Sequence, residues 1–184
     1  MAAIQSNMLE LGTKAPNFEL LNVSTKKTNS LDELKSENAT VIMFICNHCP
    51  FVKHIGSGLS QLGKDYLKKG VSIIAISSND IINYPQDSPE KMIEFLKEYN
   101  INYTYLYDET QEVAKAYKAA CTPDFYVFDK NMELAYRGQF DDSRPSNDLP
   151  VTGKDIRNAI DTLLNGEKVN ENQIPSIGCN IKWK

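Results

Sequence analysis

The chain has 184 residues, 41% of them hydrophobic and 24% charged, and carries a net charge of −4 with a pI near 5.3. This composition excludes a disordered or fibrous chain and is long enough for one domain with a sizeable core. No dense Lys/Arg block supports a nucleic-acid or anionic-membrane surface, and no apolar run approaches membrane-spanning length. The opening Met1–Asn7 lacks a charged n-region and an apolar h-region, so a cytoplasmic protein without a signal peptide is expected. Four cysteines are too few for a disulfide scaffold and fit reactive thiols better.

Taken in chain order, Asn17 to Val23 alternates polar with apolar and reads as a half-exposed strand. Ser30 to Leu34 reads as a helical turn capped by Ser30. Thr40 to Ile45 is a buried strand. A helix is expected from near Cys49 to near Gly70, with Val52, Ile55, Leu59, Leu62 and Tyr66 on its core face and Gly70 as its terminator. Val71 to Ser77 is a continuous apolar run of the kind found inside parallel sheets. The loop Ser78 to Asp87 leads to a helix capped by Ser88, with Pro89 at its first position and Met92, Ile93, Phe95, Leu96 and Tyr99 facing the core. Tyr103 to Tyr107 is a short strand and Glu109 to Ala119 a small helix. Asp124 to Phe128 and Glu133 to Arg137 flank Asp129 to Met132 as an antiparallel hairpin. A last helix spans Gly153 to Leu164, and the tail from Glu167 to Lys184 shows little periodicity. The order β-α-β-α-β-α-β-β-α implies right-handed crossovers and a mixed, mostly parallel sheet. It is read as one domain over 1–184, with a core from about 12 to 166 and a tail over 167–184.

The chemistry-bearing motif is Cys46-Asn47-His48-Cys49, directly after the buried strand. Its spacing lets two thiols close a tight disulfide. Cys46 is expected at the N-terminal end of the following helix, where unpaired N–H groups and the dipole favour a thiolate, and is assigned as nucleophile. Cys49 is the resolving thiol, and a cationic His48 would add to the stabilisation. A zinc site would need a second ligand pair, and Cys121, Cys179, His48 and His54 stand unpaired in sequence, so neither a metal nor a dissociable cofactor is expected. Cys121 reads either as an auxiliary redox thiol or as a small buried hydrophobe. Cys179 would be a resolving thiol only if the tail folds back over the site; the alternative is structural packing anchored by Trp183.

These elements resemble the thioredoxin superfamily. The resemblance is carried by the strand-C-x-x-C-helix unit at Cys46–Cys49, by Thr122-Pro123 immediately before a strand, and by the hairpin and terminal helix that follow. Gly12-Thr13-Lys14-Ala15-Pro16-Asn17-Phe18-Glu19-Leu20 is similar to the opening of the alkyl hydroperoxide reductase/thiol-specific antioxidant branch. The segments Cys46 to His54, Tyr136 to Pro145 and Pro175 to Trp183 look like a peroxiredoxin-like, redoxin subgroup of bacterial proteins. The resemblance implies a thioredoxin-like α/β fold, a mixed sheet flanked by helices with an N-terminal strand extension and a C-terminal tail. It also implies a cis Pro123, with the backbone of Thr122 turned towards the disulfide to pair with a bound chain.

A histidine inside the C-x-x-C is similar to the motifs of protein disulfide isomerase and periplasmic disulfide oxidants, where thioredoxins carry proline. A more stable thiolate makes the couple more oxidising. Thioredoxins also bear a buried acid six residues before the nucleophile; here that position is Thr40, with Glu37, Lys53 or water as substitutes. Aligned on the peroxidatic cysteine of peroxiredoxins, Cys49 places Cys46 where the family has a hydroxyl residue and Ile42 where it has proline. Arg137 and Arg144 would be the arginine candidates, or ordinary surface ion-pair residues, and Asp141-Asp142 a loop-ordering pair. The expected function is a thiol–disulfide oxidoreductase acting on a protein or small-molecule disulfide and regenerated by an external thiol reductant. The alternatives are a thiol-dependent, antioxidant peroxidase and a redox-sensing binding module.

Overall fold

The computed structural model describes residues 3–184. Along the chain run β1 (Ala3–Gln5), β2 (Glu19–Asn22), β3 (Thr28–Ser30), α1 (Leu31–Leu34), β4 (Ala39–Phe44), α2 (Pro50–His54), α3 (Gly56–Tyr66), β5 (Val71–Ser77) and α4 (Pro89–Glu98). There follow β6 (Thr104–Tyr107), α5 (Glu112–Ala116), β7 (Cys121–Thr122), β8 (Asp124–Asp129), β9 (Leu134–Gly138), α6 (Lys154–Leu164) and β10 (Ile177–Asn180).

A seven-stranded sheet in the order β3-β2-β6-β5-β4-β8-β9 forms the centre. β4 lies in its middle because its apolar run has no polar face to offer solvent: all six residues are buried. It pairs in parallel with β5 (Val41↔Ile73) and antiparallel with β8 (Val41↔Val127). The period of two then splits the strand between two cores. Val41, Met43 and Ile45 join Val52, Leu59, Phe95 and Ile160 on one side, while Ile42 and Phe44 join Phe18, Leu31, Tyr117 and Tyr126 on the other. The sheet is mixed, but only β4–β5 and β5–β6 pair in parallel while the other four pairings are antiparallel, which corrects the expected mostly parallel sheet. Flanked by helices, it is the thioredoxin-like fold, and β8 and β9 form the expected hairpin, with an irregularity between Val127 and Phe128.

Several local expectations hold in detail. β2 alternates exposed with buried, and Ser30 makes a capping box with Glu33 at the start of α1. Gly70 adopts φ 75° after a 3-10 turn over Leu67–Lys69. Others are corrected. The helix drawn from Cys49 to Gly70 is broken at Ile55 (φ −93°, ψ 4°) into α2 and α3. Ser88 stands at the N-cap of α4 without capping it; its hydroxyl bonds Glu90 instead. The largest difference is the tail. Ile177–Asn180 forms β10, which pairs antiparallel with β1 on one edge and β7 on the other, a second sheet of three strands. Ile181 is buried and Trp183 is 43% exposed, so Ile181 rather than Trp183 anchors this segment. No helix among the described residues is long and apolar enough to cross a membrane.

Candidate functional site

The site forms where β4 ends, α2 begins and the chain bends at the cis peptide Thr122-Pro123. Cys46 lies on the turn after β4. Cys49, not Cys46, occupies the N-cap of α2, with Pro50 at the first helical position. Both sulfurs converge on one residue: Cys46 Sγ is 3.3 Å from Thr122 Oγ1, and Cys49 Sγ is 3.1 Å from the Thr122 carbonyl oxygen. All four cysteines are free and buried.

The two thiols act on each other's acidity, and the influence of each on the other outweighs every other neighbour. This mutual influence draws Cys49 down to about 5 and pushes Cys46 well above the ordinary thiol range. Burial raises both. On Cys49 it is outweighed by donors, the Cys46 thiol first, then the Cys179 side chain and the backbone N–H groups of Val52 and Cys179. Cys49 is the more acidic thiol of the two, and Cys46 also faces the negative field of Asp87.

Asp87, on the loop after β5, is a central residue of the site that the sequence reading did not single out. Its fully buried carboxylate accepts from the N–H groups of Asn47 (2.8 Å) and His48 (3.2 Å) and from Asn79 Nδ2 (2.8 Å). His48 Nδ1 lies 2.5 Å from Asp87 Oδ2. Because the carboxylate only accepts, Nδ1 carries the proton of that bond. Burial opposes ionisation of Asp87, yet these bonds outweigh it and hold its pKa below the usual carboxylate value. The His48 ring stacks on Tyr84 (5.6 Å between centroids, 12°), and its Nδ1 is 3.9 Å from Cys46 Sγ. Nε2 is buried without a hydrogen-bond partner among the described residues. Cys46 Sγ, a His48 nitrogen and an Asp87 oxygen lie within 4.8 Å of one another, a three-donor arrangement; a metal drawn to it would have to displace the His48–Asp87 bond.

Thr40 is buried and accepts from Ser36 N, offering no proton to the thiols. Glu37 and Lys53 are exposed, and neither hydrogen-bonds a thiol. Cys121 bonds the Pro123 carbonyl (3.5 Å), and burial pushes its thiol far above the ordinary range. The expected pairing of Thr122 with a bound chain is met from inside the molecule: Cys179 of β10 is its strand partner.

The AhpC/TSA family model matches residues 11–137. The chain belongs to the AhpC/TSA family. This AhpC/TSA protein is 28% identical over 141 residues to the thiol-disulfide oxidoreductase ResA of Oceanobacillus iheyensis, covering 72% of this chain and 69% of that protein. An uncharacterized conserved protein from Geobacillus kaustophilus has a solved structure that superposes with a TM-score of 0.98 at 59% identity, over 100% of this chain and 97% of that one. A putative thiol:disulfide interchange protein DsbE from Chlorobium tepidum shares the fold, with a TM-score of 0.67 at 18% identity over 85% and 99% of the two chains. The family is a thiol-based redox family within the thioredoxin superfamily, which accords with the four thiols gathered at the bend.

Neither Arg137 nor Arg144 of this AhpC/TSA chain bonds a thiol. Arg137, expected at the surface, is fully buried: its Nη2 bonds Asp124 (3.2 Å), Ser6 Oγ (3.1 Å) and the Lys118 carbonyl (2.8 Å), and the guanidinium lies 4.6 Å from the Tyr126 ring centre. Arg144 is held by Gln139 and the carbonyls of Asp141 and Ser143. Asp141 orders its loop by accepting from the N–H groups of Ser143, Thr152 and Gly153.

Proposed function

We propose that the protein is a thiol–disulfide oxidoreductase whose working pair is Cys46 and Cys49. The observation that carries this reading is a C-x-x-C pair of free thiols both seated on Thr122, 3.3 Å from its hydroxyl and 3.1 Å from its carbonyl, directly before the cis Pro123. Both sulfurs are buried, and Cys46 is assigned the attack because it adjoins the partly exposed His48 (3.9 Å to Nδ1) whereas Cys49 Sγ sits on the Thr122 carbonyl. Cys49 lies beneath the tail. As Cys46 attacks a substrate disulfide, its proton passes to Cys49, which serves in this scheme as the thiolate of the pair. The substrate S–S bond breaks and one half leaves as a thiolate, taking the proton now on Cys49. The renewed Cys49 thiolate attacks Cys46 Sγ, releases the second half, and closes the Cys46–Cys49 disulfide, which an external thiol reductant reopens. Cys49 thus supplies the base that Thr40 does not. Asp87, held by His48 Nδ1, sets the field at Cys46, and Thr122 with Pro123 shapes the face met by the substrate.

Trapping tests the assignment. With insulin as substrate, Cys49→Ala accumulates a mixed disulfide on Cys46, and Cys46→Ala loses reduction altogether. A trapped adduct on Cys49 in Cys46→Ala would overturn the order of attack. Wild-type protein that consumes peroxide rapidly but leaves insulin disulfides intact would overturn the function.

A further inference from the structure

The tail brings a third sulfur to the pair. β10 lies antiparallel on β7 with Cys179 directly opposite Thr122, the residue whose carbonyl is 3.1 Å from Cys49 Sγ. α2, which Cys49 caps, packs against β10, and Cys179 is 3% exposed within the same core cluster as Cys46 and Cys49. Register is set by Gly178, where a Cβ would stand 2.0 Å from the Thr122 carbonyl oxygen, so only glycine lets the strand lie this close. The flanks are fastened as well. Ser176 Oγ bonds the Gly138 carbonyl (2.7 Å), Asp80 N the Lys182 carbonyl (2.8 Å), and Lys182 N donates to Asn79 Oδ1 (2.9 Å). The other end of that Asn79 amide holds Asp87.

We infer that Cys179 is a third redox thiol of the site, which takes over the disulfide by exchange with Cys49. The inference rests on the function proposed above and deepens it. Thr122 is the common neighbour of the three: Cys46 and Cys49 Sγ meet its hydroxyl and carbonyl while Cys179 is its strand partner, and Cys49, at the N-cap of the helix that packs on β10, stands between Cys46 and the tail, whereas the Cys121 thiol is turned to the Pro123 carbonyl. After turnover has closed Cys46–Cys49, the Cys179 thiol gives up its proton and its sulfur attacks Cys49 Sγ. The Cys46–Cys49 bond breaks as Cys49–Cys179 forms. Cys46 leaves with the electron pair and takes up the proton. One disulfide and one thiol enter and leave the step, so it needs no oxidant beyond the substrate disulfide already reduced. The exchange returns Cys46 as a free thiol and moves the oxidised bond onto the tail strand.

The experiment oxidises the full-length protein with oxidised glutathione, quenches with acid, alkylates free thiols and maps the disulfide-linked peptides. Wild type yields both Cys46–Cys49 and Cys49–Cys179 linkages, the latter with Cys46 alkylated. Cys46→Ser, which leaves the tail intact, converts to Cys49–Cys179 with at least a tenfold fall in Cys179 alkylation. The inference is overturned if wild type forms Cys46–Cys49 and reduces insulin while Cys179 alkylates as fully as in reduced protein. It is equally overturned if Cys46→Ser stops at a Cys49–glutathione mixed disulfide. A wild type that forms no Cys46–Cys49 bond and reduces no insulin marks failure of the parent function instead, and takes this inference with it.

Discussion

Replacing Gly178 with alanine tests whether the tail is seated by backbone contact alone. The new Cβ would sit 2.0 Å from Thr122 O, 2.6 Å from Thr122 C and 3.0 Å from Pro123 N. All three are main-chain atoms, so no side-chain rotation relieves the overlap. Ordinary contact begins at 3.4 Å, so β10 must back away by about 1.4 Å (3.4 less 2.0). Overpacking costs about 1–3 kcal/mol where neighbours can yield. Here the separation also loosens the strand pairs Cys179–Thr122 and Asn180–Cys121, each hydrogen bond being worth about 0.5–1.5 kcal/mol. We expect a loss of about 2–4 kcal/mol in tail docking, which is about 30- to 1,000-fold faster amide exchange over residues 177–182. Cys179 alkylation should accelerate in parallel, while exchange in β4 and β5, whose partners lie in the other sheet, stays slow. Gly178→Ala protein with wild-type exchange in β10 and wild-type Cys179 alkylation would refute the seating argument.

Cys46→Ala removes the donor that most lowers the Cys49 pKa, so the thiolate absorbance should titrate well above about 5, while Cys46→Ser, which keeps a hydroxyl donor, should remain near the wild-type value. Asp124→Asn leaves the buried Arg137 cation without its counter-charge and should cost about 3–5 kcal/mol, measured as a fall in urea midpoint at unchanged slope. Asp87 has a folded pKa below its unfolded value near about 3.9, so the stability it adds is present above that pH and is lost as pH falls through the folded value. Asp87→Asn should therefore show a flatter decline of unfolding free energy below pH 4 than wild type, and an unchanged decline would count against the His48–Asp87 assignment.

What could be read from the sequence was what local pattern decides. The run Val41 to Ile45 and the run Val71 to Ser77 are buried on both faces, so their composition alone marks them as inner strands, and the C-x-x-C falls where such a strand must end. The tail was not legible because nothing local makes Ile177–Asn180 a strand. It is held by β1 and by the two residues of β7, separated from it by most of the chain and by the whole hairpin respectively. Asp87 sits in a loop with no periodicity, and its role depends on Asn79, His48 and Asn47 arriving around it from two strand ends. Arg137 looked like a surface residue because charge favours exposure. Only the fold reveals Asp124, Ser6 and Tyr126 enclosing it. The Ile55 break was hidden for a similar reason: Gly56 continues the apolar face, but the Tyr99 ring fills the space where its Cβ would be.

The burial of both pair sulfurs separates two properties that are easily conflated, the equilibrium potential of the couple and the speed at which solution thiols reach it. A potential is fixed by the end states and is blind to the cover. Collision with a small thiol such as glutathione is limited by how often Thr122 and the Cys179 strand part, so the pair exchanges slowly with the bulk pool whatever its potential. A macromolecule able to engage that edge is not bound by the same limit. For the couple proposed above, such a cover would insulate its redox state kinetically from the surrounding small thiols.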